Sequence, residues 1–192
     1  MKLHQKSEMK FDWVFKIECI INSCGKSSKY LEISKSDNIV KQLFKNEICT
    51  TIDDIARQEW YEQLSSNSAC ITYRILKTDF QFEKYLTQLN FYERIILTKF
   101  RTSNNRLPAN KFRFSKNTDE RLCTLCNSKD LGDEFHYLFI CNKFESERNL
   151  YIPGFYYTHP NTMKMKNLFE AKNKKTQLYL RNFIAILLKH FK

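Results

Sequence analysis

The segment Leu122–Cys141, LCTLCNSKDLGDEFHYLFIC, holds three of the chain's seven cysteines and one of its four histidines. As ligands they read Cys123-x2-Cys126-x9-His136-x4-Cys141. The C-x2-C spacing lets two thiolates in one tight turn grip a single ion, each at about 2.3 Å. Gly132 can break the segment between the halves, and Asp133 and Glu134 then suit a helix N-terminus, where acids meet the positive end of the dipole. His136 would lie in the first turns of that helix. Cys141 follows five residues later, about 140° further round an ideal α-helix. It reaches the same ion only if the helix ends or tightens there, and Asn142, which tolerates left-handed geometry, is a suitable stop.

Three thiolates and one imidazole form a closed tetrahedral set, which predicts one structural Zn²⁺ and leaves no open position for a catalytic water. Two other readings compete. Free cysteines behave as small buried hydrophobes, so Phe139 and Cys141 could be ordinary core beside a chance C-x2-C. A C-x2-C thiol could also be a nucleophile activated by His136. The other four cysteines are scattered singly and the other histidines lie far from any cysteine pair, which favours metal.

Around this segment the chain reads as helical. Only three glycines and three prolines occur in 192 residues, too few for a sandwich or barrel with a turn every 8–12 residues or so. Hydrophobic residues make up 42%, enough for a packed core. Periodicity predicts one helix through Ile39, Leu43 and Phe44, then another through Ile52, Ile55, Ala56, Trp60 and Leu64 that opens on a Thr51–Asp54 capping box. A third is expected over 80–101, with Phe82, Tyr85, Leu86, Leu89, Tyr92, Ile96 and Phe100 as its stripe. Further helices are expected over 143–150, 161–171 and 175–191. The last carries a core stripe of Leu180, Phe183, Ile184, Leu187, Leu188 and Phe191, and residues 151–157 form an aromatic turn. The expected fold is mainly α: an irregular helical domain with a small zinc knuckle. Residues 1–35 show little pattern, 36–117 form a helical region ending in a basic segment, 118–152 the knuckle, and 153–192 C-terminal helices packing on the rest.

Several catalytic patterns fail on inspection. Gly25-Lys26-Ser27 suggests a phosphate loop, but the required first glycine would be Ile20, so a polar turn is expected. Asp53-Asp54 opens a helix instead of following an aromatic residue in a hairpin. Glu170-Ala171-Lys172 resembles a nuclease E-x-K, yet no aspartate follows Asp133 to complete a two-carboxylate site. No secretory h-region is legible, since Phe11–Glu18 is interrupted by charge, and Phe183–Leu188 is far short of the ~20 residues that span a bilayer. An odd cysteine count without a signal predicts an intracellular, reducing setting, nucleus or cytoplasm alike, with no membrane partner.

The net charge is +11, and residues 142–192 hold ten Lys and Arg against three Glu. Such an excess suits polyanions, because each neutralised phosphate releases counterions. A lysine-rich solvated surface accounts for it equally well. More specific is the run 99–116, KFRTSNNRLPANKFRFSK, with six Lys or Arg and no acid. Lys99, Arg101, Arg106, Lys111, Arg113 and Lys116 are candidate phosphate contacts, and Phe112, Phe114 or Tyr137 candidate stacking rings. On an extended backbone Lys111-Phe112-Arg113-Phe114 would put cations on one side and rings on the other. The plainer alternative makes those rings core and those cations a solvated face.

Taken together, FRTSNNRLPANKFRF and RLCTLCNSKDLGDEFHYLFICNKFESERNLYI resemble the C-terminal zinc-binding region of non-LTR (LINE-like) retrotransposon reverse transcriptases. The matching positions are Phe100, Arg101, Thr102, Leu107, Pro108, Cys123, Cys126, Gly132, Asp133, Glu134, His136, Tyr137, Cys141 and Arg148. The resemblance is most specific over 98–152. It implies a region that lies downstream of a polymerase domain in a transposable element and helps hold element RNA or target DNA, and it adds Arg148 to the nucleic-acid-binding candidates. The polymerase and nuclease carboxylates of such proteins are not found here, so no catalysis is expected of what reads as a tail fragment. The alternatives are a structural or protein-docking zinc module, for instance against the missing polymerase domain, and a decayed element remnant.

Overall fold

A computed structural model describes residues 15–33 and 36–191 of the chain. The stretch from Phe11 read above lies outside the described residues as far as Val14. The chain divides into two compact units, one running to Gln63 and the other from Leu64 to Lys192. The boundary falls inside the range 36–117 that the sequence suggests is a single region. Among the described residues there is no β-strand and no helix long and apolar enough to cross a membrane.

The first unit is three helices: α1 (residues 15–23), α2 (Ser27–Ile33) and α3 (Asn38–Ser66), whose last turn crosses the boundary. Gly25 takes φ +67° in the turn between α1 and α2, a conformation natural to glycine, so the Gly-Lys-Ser tripeptide is the polar turn expected of it. Lys26 reaches Glu47 on α3 as an ion pair. The sequence predicts two helices where α3 runs unbroken. Thr51 does not cap a second one; its hydroxyl donates to the Glu47 carbonyl one turn back, and Thr50 does the same to Asn46. A hydroxyl used this way stays inside the helix. None of the α3 side chains is buried, and Ile39, Leu43, Ile52 and Ile55 are exposed along it.

The second unit contains the core. Its helices are α4 (Ile71–Leu76), α5 (Tyr85–Gln88), α6 (Phe91–Arg101), α7 (Pro108–Lys111), α8 (Glu145–Tyr151), α9 (Gly154–Tyr157), α10 (Thr162–Phe169) and α11 (Lys174–Lys189). The continuous helix expected over 80–101 is two, because Leu89 is extended and Asn90 opens α6 with a full capping box. The Asn90 side chain accepts from the Glu93 N–H and the Glu93 carboxylate accepts from the Asn90 N–H. Two orphan donors are satisfied at once, which outweighs continuing the helix. Residues 80–83 are not helical, and Phe82 there faces solvent, as does Tyr92, while Tyr85, Leu89, Leu97 and Phe100 go inward.

α11 keeps its predicted stripe, with Leu180, Phe183, Ile184 and Leu187 fully buried, and it packs on α6 and α8. α10 packs on α4, and Phe169 stacks on Phe100 with ring centroids 6.1 Å apart. Asn161 and Asn173 cap α10 and α11. The buried Gln177 donates to the Phe169 and Ala171 carbonyls, closing the end of α10. Residues 112–114 form a turn, contrary to the extended alternation expected there. Pro108 at the first position of α7 presets a helical φ, and the chain comes off that turn at Phe112.

Candidate metal centre

Each ligand is placed by a short, locally specified piece of backbone. Leu122 and Leu131 form an antiparallel bridge, with the Cys123 N–H on the Asp130 carbonyl at 2.8 Å and the Gly132 N–H on the Arg121 carbonyl at 2.9 Å. This hairpin carries the Cys123–Cys126 turn at its tip, where the Leu125 N–H points at the Cys123 sulfur, 3.4 Å away. Gly132 does more than break a segment. A Cβ there would sit 3.1 Å from Pro108 Cγ, 3.1 Å from the Tyr137 hydroxyl and 3.2 Å from the Leu122 carbonyl oxygen. Any larger residue would require these neighbours to give way by a few tenths of an ångström.

Asp133 then caps the next segment, its Oδ1 accepting from the His136 N–H at 2.8 Å. Residues His136–Ile140 form a π-turn that closes with the Cys141 N–H on the His136 carbonyl at 2.8 Å. The chain was expected to end or tighten here; it widens. In an α-helix residue i+4 returns over residue i, whereas an i→i+5 turn returns residue i+5. The widening therefore brings Cys141 back over His136.

The result is a compact set of donors. One ligand atom from each of Cys123, Cys126, His136 and Cys141 lies within 4.8 Å of all the others. The Cys126 and Cys123 sulfurs are 3.4 Å apart, Cys123 and Cys141 3.9 Å, and Cys126 Sγ lies 3.4 Å from His136 Nε2. Bonds of ~2.3 Å in a tetrahedron require sulfur–sulfur edges of about 3.8 Å, so an ion fits with little movement. All the cysteines are free thiols, and these separations are far beyond a disulfide's ~2.05 Å.

The electrostatics favour a cation at the centre. Burial pushes the Cys141 thiol up to about 12, and the neighbouring sulfurs add to this. Burial also works against the Cys126 thiolate, but hydrogen bonds from Ser128, Cys123 and Cys141 outweigh it and leave its pKa below the ordinary thiol value. Burial holds the His136 imidazole below its usual pKa, which keeps the neutral, ligating form. Three thiolates gathered in one buried place need positive charge, and binding a metal must expel their protons.

Around the ligands lies a supporting ring that the sequence does not reveal as such. Glu134, buried, accepts from Thr72 Oγ1 at 2.9 Å, Asn105 Nδ2 at 2.8 Å and Asn110 Nδ2 at 2.6 Å. It thereby ties the ligand segment to α4 and to the turn before α7. Asp130 sits between Cys126 and His136 in the chain, and its Oδ2 is 3.5 Å from His136 Nδ1, a buried nitrogen with no hydrogen-bond partner among the described residues. A carboxylate behind a ligating imidazole fixes its orientation and raises its basicity. We expect Asp130→Ala to weaken metal affinity about 10- to 100-fold, measured by competition with a chromophoric chelator. Equal affinities for the variant and the parent chain would remove Asp130 from the site.

Compared with protein-family models, curated proteins and solved structures, the chain matches none. Its own geometry carries the argument.

The proposed phosphate contacts divide into two groups. Lys99, Arg106, Lys111 and Lys116 are exposed, while Arg113 is half-buried and donates to Asn110 Oδ1 at 3.2 Å. Arg101 and Arg148 are turned inward, contrary to expectation. Arg101 is 1% exposed and bonds Glu83 at 2.7 Å, its guanidinium between the Tyr85 and Phe169 rings. Arg148 is 5% exposed and donates from Nε to the Leu138 carbonyl and from Nη2 to the Cys141 carbonyl, at 2.9 and 2.6 Å. Arg148 thus ties the π-turn and the last ligand to α8 and supports the metal centre from behind. Tyr137 is also fully buried, whereas Phe114 is 87% exposed.

Proposed function

We propose that the chain is a zinc-binding, nucleic-acid-binding module with no catalysis of its own, of the kind the sequence resembles in non-LTR retrotransposon reverse transcriptases. The observation that carries this reading is the pairing of two features in one unit. Four soft donors lie within 4.8 Å of one another, and beside them the run 99–116 turns Lys99, Arg106, Lys111 and Lys116 outward. Thiolate-rich tetrahedral sets favour Zn²⁺ over the harder divalent ions, and a set with four protein ligands is structural. The zinc would hold the knuckle folded, and the cations beside it would take the phosphates of element RNA or target DNA.

Native mass spectrometry of the chain purified under reducing conditions is expected to show one zinc per chain. Binding of a labelled single strand should weaken linearly in log affinity against log salt, by about 0.7 per phosphate contacted. A folded chain without zinc would sink the first half of the reading, and salt-indifferent binding the second. One observation favours a protein-docking module instead: α3 exposes Ile39, Leu43, Ile52 and Ile55. That alternative predicts a partner interaction that barely responds to salt.

A further inference from the structure

Two clefts of about 410 and 500 Å³ open on the second unit and share Arg106 and Phe191, so they run as one groove. Lys99, Arg106, Lys111 and His190 supply its positive and donor groups, and Phe112 and Phe191 its rings. No carboxylate lines either cleft. None of the three Lys and Arg side chains pairs with an acid among the described residues. Lys111 lies 4.8 Å over the Phe112 ring. The groove is built from two distant parts of the chain, the approach to α7 and the end of α11. Thr124, from the Cys123–Cys126 turn, forms part of its wall, and Phe191 packs on Tyr137 with centroids 4.9 Å apart. The groove thus borders the turn that carries Cys123 and Cys126.

We infer that this groove is the path of a single-stranded polynucleotide, with successive phosphates on Lys99, Arg106 and Lys111 and an unpaired base against Phe112. This rests on the nucleic-acid reading above and gives it an address that includes His190 and Phe191. Two features select this occupant. Cations without acid partners are left for a polyanion, since a folded chain gains by pairing them when it can. Half-buried aromatic rings beside those cations offer a stacking surface, which an unpaired base fills and which bases already stacked inside a duplex cannot reach. An acidic peptide would satisfy the cations and leave the rings without a flat partner.

The test uses the full chain, loaded with zinc, and a fluorescent 12-nucleotide oligouridylate or oligothymidylate across a salt series. Arg106→Glu/Lys111→Glu is expected to weaken binding on the order of 100-fold and to reduce the log–log salt slope by about 1.4, two contacts' worth. Phe112→Leu, which keeps an apolar side chain, should weaken binding about tenfold with the slope unchanged, and Phe112→Tyr should restore it. The double reversal Lys41→Glu/Lys45→Glu on α3 changes the net charge equally and should leave affinity within about twofold. If the parent chain binds and the groove variants bind equally well, the strand runs elsewhere and the groove assignment is overturned while the nucleic-acid reading stands. If the parent chain binds neither oligonucleotide even at low salt, that reading itself fails. If polyglutamate of matched length displaces the strand on equal terms, the groove belongs to an acidic protein.

Discussion

Cys126→Ser, or exposure to a strong chelator, is expected to abolish metal retention and to melt far more than the knuckle. Where a closed set of thiolates and imidazole holds zinc, the apparent binding free energy is about 10–16 kcal/mol, comparable to the whole stability of a domain. How far the loss spreads follows from the ring of contacts around the ligands. Without the ion, the buried Cys141 thiol stays protonated and the four ligands no longer draw the Cys123–Cys126 turn onto the π-turn. Glu134 then carries the disturbance to Thr72, Asn105 and Asn110, and Arg148 carries it into α8. Tyr137, Leu138 and Phe139 lie within the π-turn and are part of the same core as Phe144, Phe183 and Leu187. Hydrogen exchange should therefore accelerate across roughly residues 105–150 and into the faces of α8 and α11 that pack there. A loss confined to 122–141 would mean the core is indifferent to the metal.

The ligand set also fixes the pH dependence. Burial holds the His136 imidazole below its usual pKa, so the thiols limit binding. Metal affinity should rise with pH, because each thiol that ligates must first release its proton. The control is Cys49→Ser. Cys49 is an exposed thiol on α3, so its replacement should change stability by no more than about 0.5 kcal/mol.

Much of the site can be read from the sequence because metal ligation depends on residue type and spacing, both of which are visible there. The α11 stripe is legible for the same reason: 3.6-residue periodicity reports a buried face directly. What escapes is context. Thr51 and Asp54 have the form of a capping box, but the same threonine hydroxyl can bond back within a helix, and the choice depends on whether the chain continues. Asn90 and Glu93 have that form too and do cap a helix, yet a run of apolar residues on either side hides the break. The π-turn is invisible because nothing in His136–Ile140 distinguishes a widened turn from an α-helix that stops. The inward turn of Arg101 and Arg148 is hidden more deeply. Their partners are a carboxylate eighteen residues upstream and two backbone carbonyls, of Leu138 and Cys141, ten and seven residues before Arg148, which no residue type or spacing announces.

That inward turn changes what charge reversal of the basic run would report. Arg101→Glu would set a carboxylate against Glu83 between two aromatic rings, so loss of binding would be loss of folding and not loss of a phosphate contact. Arg101→Ala isolates the effect. Removing one partner of a buried ion pair costs about 3–5 kcal/mol, because the remaining charge is stranded. Here the lower figure applies, since Lys77 lies 3.1 Å from Glu83 and still neutralises it. The guanidinium's contacts with Tyr85 and Phe169 are lost as well, and they cannot be recovered by the shorter side chain. We expect a fall of about 3 kcal/mol in denaturant-derived stability, with the midpoint shifted and the slope unchanged. Arg101→Met should cost less than Arg101→Ala, because the longer apolar side chain keeps contact with the Tyr85 and Phe169 rings while Lys77 keeps Glu83 paired. Zinc-loaded Arg101→Ala that remains folded should bind single strands as the parent chain does, since this side chain does not reach the groove. Parent-like stability with lost binding would return Arg101 to the surface, and with it the simpler view that every cation in the run faces the nucleic acid.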